Sequence, residues 1–73
     1  MVMVTYRVGK CLLRYHLTVN KMTQQELAEQ TGMTKQTISR YANNSHVMSY
    51  QAALNIAKKL NCQMEDLYEI FTE

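Results

Sequence analysis

Proline is absent from the 73-residue sequence, and glycine occurs only at Gly9 and Gly32. Without the usual helix breakers, and with β-branched runs confined to the N-terminus, the chain is expected to be mostly helical. Cysteine is equally sparse: Cys11 and Cys62 stand far apart and outside any CxxC pattern. They read as simple buried thiols in a reducing compartment. No apolar run is long enough to span a bilayer, and the opening MVMVTYRV lacks the extended apolar core and small-residue cleavage site of a signal peptide. A cytoplasmic location is the expectation, with no membrane partner.

Acidic residues are missing from the middle of the chain. The six acids are Glu26, Glu29, Glu65, Asp66, Glu69 and Glu73, so the stretch from Gln30 to Met64 has none while carrying Lys35, Arg40, Lys58 and Lys59. Residues 1–25 hold Arg7, Lys10, Arg14 and Lys21, again without an acid. The net charge of +2 therefore hides a basic body and an acidic tail, a distribution that faces a polyanion in one orientation. Paired acids at a cleft and a glycine-rich phosphate loop are also lacking, which argues against an enzyme. His16 and His46 have no His, Cys or carboxylate neighbour at ligand spacing, so no metal site is expected. No cofactor and no small-molecule ligand are indicated. Asn43-Asn44-Ser45 matches a glycosylation acceptor, a coincidence in a cytoplasmic chain.

Seventy-three residues make one domain, 1–73, which buries only about 60% of its unfolded surface and is marginal as a monomer. Val2, Val4, Tyr6 and Val8 alternate with Met3, Thr5 and Arg7, a short strand period that suits a frayed end or an edge strand. Val8, Cys11, Leu12 and Tyr15 then fall at helical spacing and predict a first helix over roughly Arg7 to Leu17.

Thr23-Gln-Gln-Glu26 is a capping box, with Met22 and Leu27 at the positions of a hydrophobic staple. It starts a second helix that ends at Gly32. The pattern repeats at once: Met33, Thr34 and Ile38 predict a third helix over about Lys35 to Ala42, stopped by Asn43-Asn44. Ile38, Tyr41 and Ala42 would face inward, with Thr37 at the margin. Ser49 caps a fourth helix with Ala53, Ile56, Ala57 and Leu60 inward. Cys62 and Leu67 staple a fifth, with Met64, Leu67 and Phe71 facing in. Tyr6, Tyr15, Tyr50 and Tyr68 read as core or half-buried residues.

Two short helices about a glycine turn form a helix-turn-helix over residues 23–42. Counting from Gln24, the fifth residue is Ala28, the ninth Gly32 and the fifteenth Ile38. Ala28 lets the helices approach, Gly32 makes the bend, and Ile38 turns the opposite face outward. That face carries Lys35, Gln36, Ser39, Arg40 and Asn43: long donors, no acid and no large apolar group.

The segment MTQQELAEQTGMTKQTISRYANN, followed by MSYQAALNIAKKLNCQMEDLYEI, resembles the Cro/phage-repressor-like (XRE-type) helix-turn-helix family of DNA-binding regulators over about residues 22–70. The resemblance implies an all-α, five-helix bundle, here with the possible short N-terminal β-strand, whose third helix enters the DNA major groove. It implies a homodimer on a two-fold double-stranded DNA operator, and a transcription regulator, with repression the expected action, of the kind found on phages and mobile elements. By the same resemblance Lys35, Gln36, Ser39 and Arg40 are base-contacting, and Thr23, Gln24, Thr34, Asn43 and Asn44 are phosphate-contacting. The chain departs from the family pattern at Ala42, where an acid is frequent, and at Asn44, where a glycine is usual. Its stretch between the first two helices does not align, which gives Arg14 and Lys21 no assigned role. For dimerisation, strand pairing through Met1–Val8 and packing of the Tyr68–Phe71 end are both open. An adaptor or antirepressor using the same fold is the alternative function.

Overall fold

The computed structural model describes residues 5–72. Its elements run β1 (Tyr6–Cys11), α1 (Leu13–Val19), α2 (Gln24–Thr31), α3 (Lys35–Ala42), α4 (Tyr50–Lys59), a 3₁₀ turn (Met64–Leu67) and β2 (Tyr68–Thr72). The all-helical expectation thus holds for four helices, while both ends of the chain depart from it.

The joints from α1 to α2 and from α2 to α3 are short, and all four helices end in the same way. The amide of Met22 bonds the Leu17 carbonyl, Met33 bonds Ala28, Ser45 bonds Arg40 and Cys62 bonds Ala57, at 2.9–3.1 Å. These five-residue reverse bonds are those of the Schellman motif, which needs a left-handed residue just before the donor. Lys21, Gly32, Asn44 and Asn61 fill that position with φ of 53°, 74°, 63° and 54°. Lysine and asparagine accept there a conformation that costs a Cβ-bearing residue about 1 kcal/mol or more.

Three of the donors do double duty. Met22, Met33 and Cys62 close one helix and immediately precede the cap of the next element, and all three pack against the core. Thr23 then caps α2 with both halves of the capping box present, Thr34 caps α3 by accepting from the Thr37 amide, and Ser49 caps α4 by accepting from Ala52. Each cap is worth about 1 kcal/mol. Leu13, Leu27, Ile38, Ile56, Leu60 and Leu67 are the fully buried centre around which the helices pack.

The predicted first helix over Arg7–Leu17 is corrected: residues up to Cys11 are strand, and the helix begins at Leu13. Its inner residues are Leu13 and Leu17, whereas Val8 and Tyr15 are exposed. Strand period and helix period overlap at Tyr6–Cys11, and the strand wins because β2 offers it a distant antiparallel partner. The register is Tyr6 with Thr72, Arg7 with Phe71, Val8 with Ile70 and Cys11 with Tyr68, broken by a bulge between Val8 and Cys11. Glu69 serves that bulge by accepting from the Lys10 amide at 2.9 Å. Gly9 is required there: a Cβ would run into the Phe71 ring and stand 2.9 Å from Cβ of Glu69.

The fifth helix is likewise corrected to a single 3₁₀ turn followed by β2. Leu67 is buried and Met64 packs on the core as expected, but Phe71 lies on the strand, exposed, with the Arg7 guanidinium 5.1 Å from its ring centroid. Of the four tyrosines expected inside, only Tyr68 is half-buried, its hydroxyl accepting from the Met48 amide at 3.0 Å; Tyr6, Tyr15 and Tyr50 are exposed. The strand positions Val2 and Val4 lie outside the described residues.

Both cysteines are free thiols. Burial pushes the Cys11 thiol up, against smaller lowering by bonds with Leu13 and Tyr68. Burial, and then the charge of Asp66, push Cys62 up as well. The folded chain therefore holds these protons more firmly than the unfolded one. The associated stability is intact below the ordinary thiol value of 9.0 and is lost as pH rises above it. Denaturant titrations between pH 8 and 11 are expected to show this alkaline loss, and Cys11→Ala is expected to make the decline shallower.

Candidate nucleic-acid interface

Ile38 is completely buried and Ala42 nearly so, which fixes the rotation of α3. At about 100° per residue, Lys35, Ser39, Asn43, Gln36 and Arg40 then fall in that order across an arc of about 140° that begins beside Ala42 and runs away from Ile38. Lys35, Gln36 and Arg40 are exposed, as are Asn43 and Asn44 just beyond them, and Ser39 is half-buried. No acid occupies the first turn of α3, so the helix brings no carboxylate of its own to offset its positive end.

The two helix starts differ. In α2 the Glu26 carboxylate accepts from the Thr23 amide at 3.2 Å and the Thr23 hydroxyl accepts from the Glu26 amide at 3.1 Å. That consumes two of the amino-terminal donors and leaves those of Gln24 and Gln25, with the Gln24 side chain half-buried beside them. In α3 the Thr34 hydroxyl accepts from the Thr37 amide and shares a hydrogen bond with the Thr37 hydroxyl at 2.9 Å. Amides at such helix starts are suited to phosphate oxygens.

The carboxyl-terminal corner of α3 is more committed than its sequence suggests. The Asn43, Asn44 and Ser45 amides all donate to carbonyls of their own helix end. The Asn44 side-chain oxygen accepts from the Cys11 amide at 2.7 Å, tying α3 to the end of β1. The left-handed conformation and this bond together account for an asparagine where the family prefers glycine. Only side-chain donors remain at this corner, and Asn44 Nδ2 is one of them.

Another donor at this corner is Arg14 of α1, whose guanidinium donates to Asn43 Oδ1. Spacing along the chain does not point to this bond, because it is a tertiary contact between separate elements. Arg14 is exposed and adds a cation beside the donor face. His16, by contrast, is structural: its Nε2 lies 2.6 Å from the Asp66 carbonyl, linking α1 to the 3₁₀ turn. Among the described residues, no group of three or more His, Cys, Asp or Glu side chains could hold a metal ion, and no helix is long and apolar enough to cross a membrane.

Residues 13–73 match the family of Cro/C1-type HTH DNA-binding domains. The chain is 39% identical over 72 residues to the SPbeta prophage-derived HTH-type transcriptional regulator YopS of Bacillus subtilis, with 97% of each chain covered. It is 30% identical over 56 residues to an HTH-type transcriptional regulator of Methanocaldococcus jannaschii, covering 77% of this chain and 85% of the other. Among solved structures it resembles the transcriptional regulator VanUg with a TM-score of 0.70 and 31% identity, over 93% of this chain and 89% of that one. With its capped helix pair, glycine turn and outward donor face, the chain belongs to the Cro/C1-type helix-turn-helix family of DNA-binding transcription regulators.

Proposed function

We propose that this protein is a single-domain repressor that reads a two-fold duplex operator as a homodimer, with α3 in the major groove. The observation that carries this reading is the exposed, acid-free arc of α3 behind a fully buried Ile38. Gln36 suits adenine, Lys35 and Arg40 suit guanine, and Ser39 suits several bases. Thr23, Gln24, Thr34, Asn43 and Asn44, with the free amides at the starts of α2 and α3, would hold the phosphates on either side. Repression by occlusion asks only for occupancy of the site. The prophage origin of one relative makes a phage or mobile-element circuit the natural setting.

One module of this size covers about 600–1,000 Å² of DNA contact, too little for high specificity, and two copies would place their reading helices about 34 Å apart. The two segments considered for dimerisation, the first strand and the Tyr68–Phe71 end, pair with each other within the chain. Paired residues share a face, so Tyr6, Val8, Ile70 and Thr72 form one side of the sheet. It carries no charge, and Tyr6, Val8 and Ile70 are exposed by 69%, 60% and 47%. A second copy applied to this side would bury the apolar surface without opposing like charges, and we take it as the dimer face.

Selection from a random duplex pool, followed by salt titration of the winner, tests the reading. A two-fold consensus is expected, with log affinity falling linearly in log salt by about 0.9 for each phosphate neutralised. Absence of enrichment and a flat salt response would point to a protein-interaction module instead. Arg40→Ala is expected to cost about 1–3 kcal/mol and to relax discrimination at one base position per half-site; a uniform loss across all sequences would make Arg40 a phosphate contact. Val8→Glu is expected to sediment as a monomer and to lose roughly a hundredfold in operator affinity, while retaining half-site binding.

A further inference from the structure

Arg14 lies outside the helix-turn-helix, yet its guanidinium is bonded to the carboxyl-terminal end of α3. A guanidinium has five donors and no acceptor, so the Asn43 atom that it faces is the oxygen. The Asn43 nitrogen in turn donates to Ser39 Oγ across 3.3 Å. Both ends of this side-chain amide are thus engaged within the protein, and Asn43 keeps a single N–H for an outside acceptor. Arg14 stands differently. It is exposed, and its bond to Asn43 leaves most of its donors for another acceptor. Neither helix that it joins carries an acid: α1 reads LRYHLTV and α3 reads KQTISRYA. The bond to a neutral oxygen holds the guanidinium at this corner without cancelling its charge.

We propose that Arg14 is a DNA phosphate contact, the cation that grips the backbone at the carboxyl-terminal corner of α3, held in place for that task by Asn43. This inference rests on the major-groove reading of α3 given above. A helix about 10–12 Å across fills a groove about 12 Å wide, so the ends of a short helix lying in it stand beside the phosphate strands. A phosphate at this corner meets one amide proton from Asn43 but a charged fork of donors from Arg14, and charge-assisted bonds to phosphate are the stronger. The main-chain amides of Asn43, Asn44 and Ser45 are all turned back into the helix end and do not compete for it. Asn43 acts here as a positioning residue, ordering a long side chain before DNA arrives. A contact made to phosphate carries no sequence information of its own.

Affinities of the full-length protein for a selected duplex, measured over a salt series, test the contact. The wild type is compared with Arg14→Gln and Arg14→Ala, which lack the charge, and with Arg14→Lys, which keeps it. Lys59→Ala, an exposed position on α4, controls for net charge, and circular dichroism checks folding. Arg14→Gln and Arg14→Ala should lower the slope of log affinity against log salt by about 0.9 per half-site, an eightfold weakening of each half-site at about 0.1 M salt. The sequence selected from a random duplex pool should stay the same. Arg14→Lys should recover the slope, because an ammonium still neutralises phosphate as a point charge. A slope kept by Arg14→Gln and Arg14→Ala, or lowered equally by all three Arg14 variants or by Lys59→Ala, overturns the contact and leaves Arg14 as a tie between α1 and α3. In that case major-groove reading stands as long as the wild type enriches a consensus. A wild type that enriches no sequence overturns the reading itself, and the contact with it.

Discussion

The burial of Ile38 between α3 and the rest of the helical body is the contact on which the other features depend. Full burial of such a side chain contributes about 1.5–3 kcal/mol, a large share of the margin available to a chain of this size. Its directional effect matters more than its energy. With Ile38 and Ala42 held inside, a rotation of α3 by even one residue would bring Lys35 or Ser39 toward the core and is excluded by the cost of burying their polar atoms. The donor arc is thus an outcome of packing, and its composition can vary without disturbing the fold.

What keeps so small a core together is the economy of its joints. The same side chains close one helix and seat the next, so the connections from α1 to α2 and from α2 to α3 spend few residues and leave few unsatisfied backbone groups. The left-handed positions at Lys21, Gly32, Asn44 and Asn61 are the small conformational cost of that arrangement. Asn44 offsets part of it by bonding to Cys11, which ties the carboxyl end of α3 to the start of the helical body. The two-stranded sheet stands at the other extreme: it is held by a bulge, a glycine under an aromatic ring and a cation over that ring, and its uncharged side is left open.

The sequence disclosed the parts of this architecture that are governed by local chemistry. Thr23, Thr34 and Ser49 start helices because a hydroxyl three residues before an amide can cap it, and Gly32 ends one because of its missing Cβ; both are short-range effects written in adjacent residues. Ile38 was legible for the same reason, as the staple partner one turn into a capped helix. The ends of the chain were not. Val8 to Tyr15 fits a helical spacing, and so does Leu67 to Phe71; only the pairing of Val8 with Ile70, more than sixty residues apart, decides for strand. The donor face was likewise visible as a list of residues, whereas the bond from Arg14 to Asn43 depends on how α1 packs beside α3.

The central claim, that the outward arc of α3 is where this regulator meets DNA, is tested most directly by titrating the isotopically labelled protein with a selected duplex and following its backbone and side-chain amide resonances. The account predicts that the largest shifts fall on Gln24–Gln25 and on Thr34–Asn44, including the side-chain amide of Gln36, with little change in α4 or β2. Shifts concentrated on the sheet or on Lys58 and Lys59, with α3 unmoved, would contradict it.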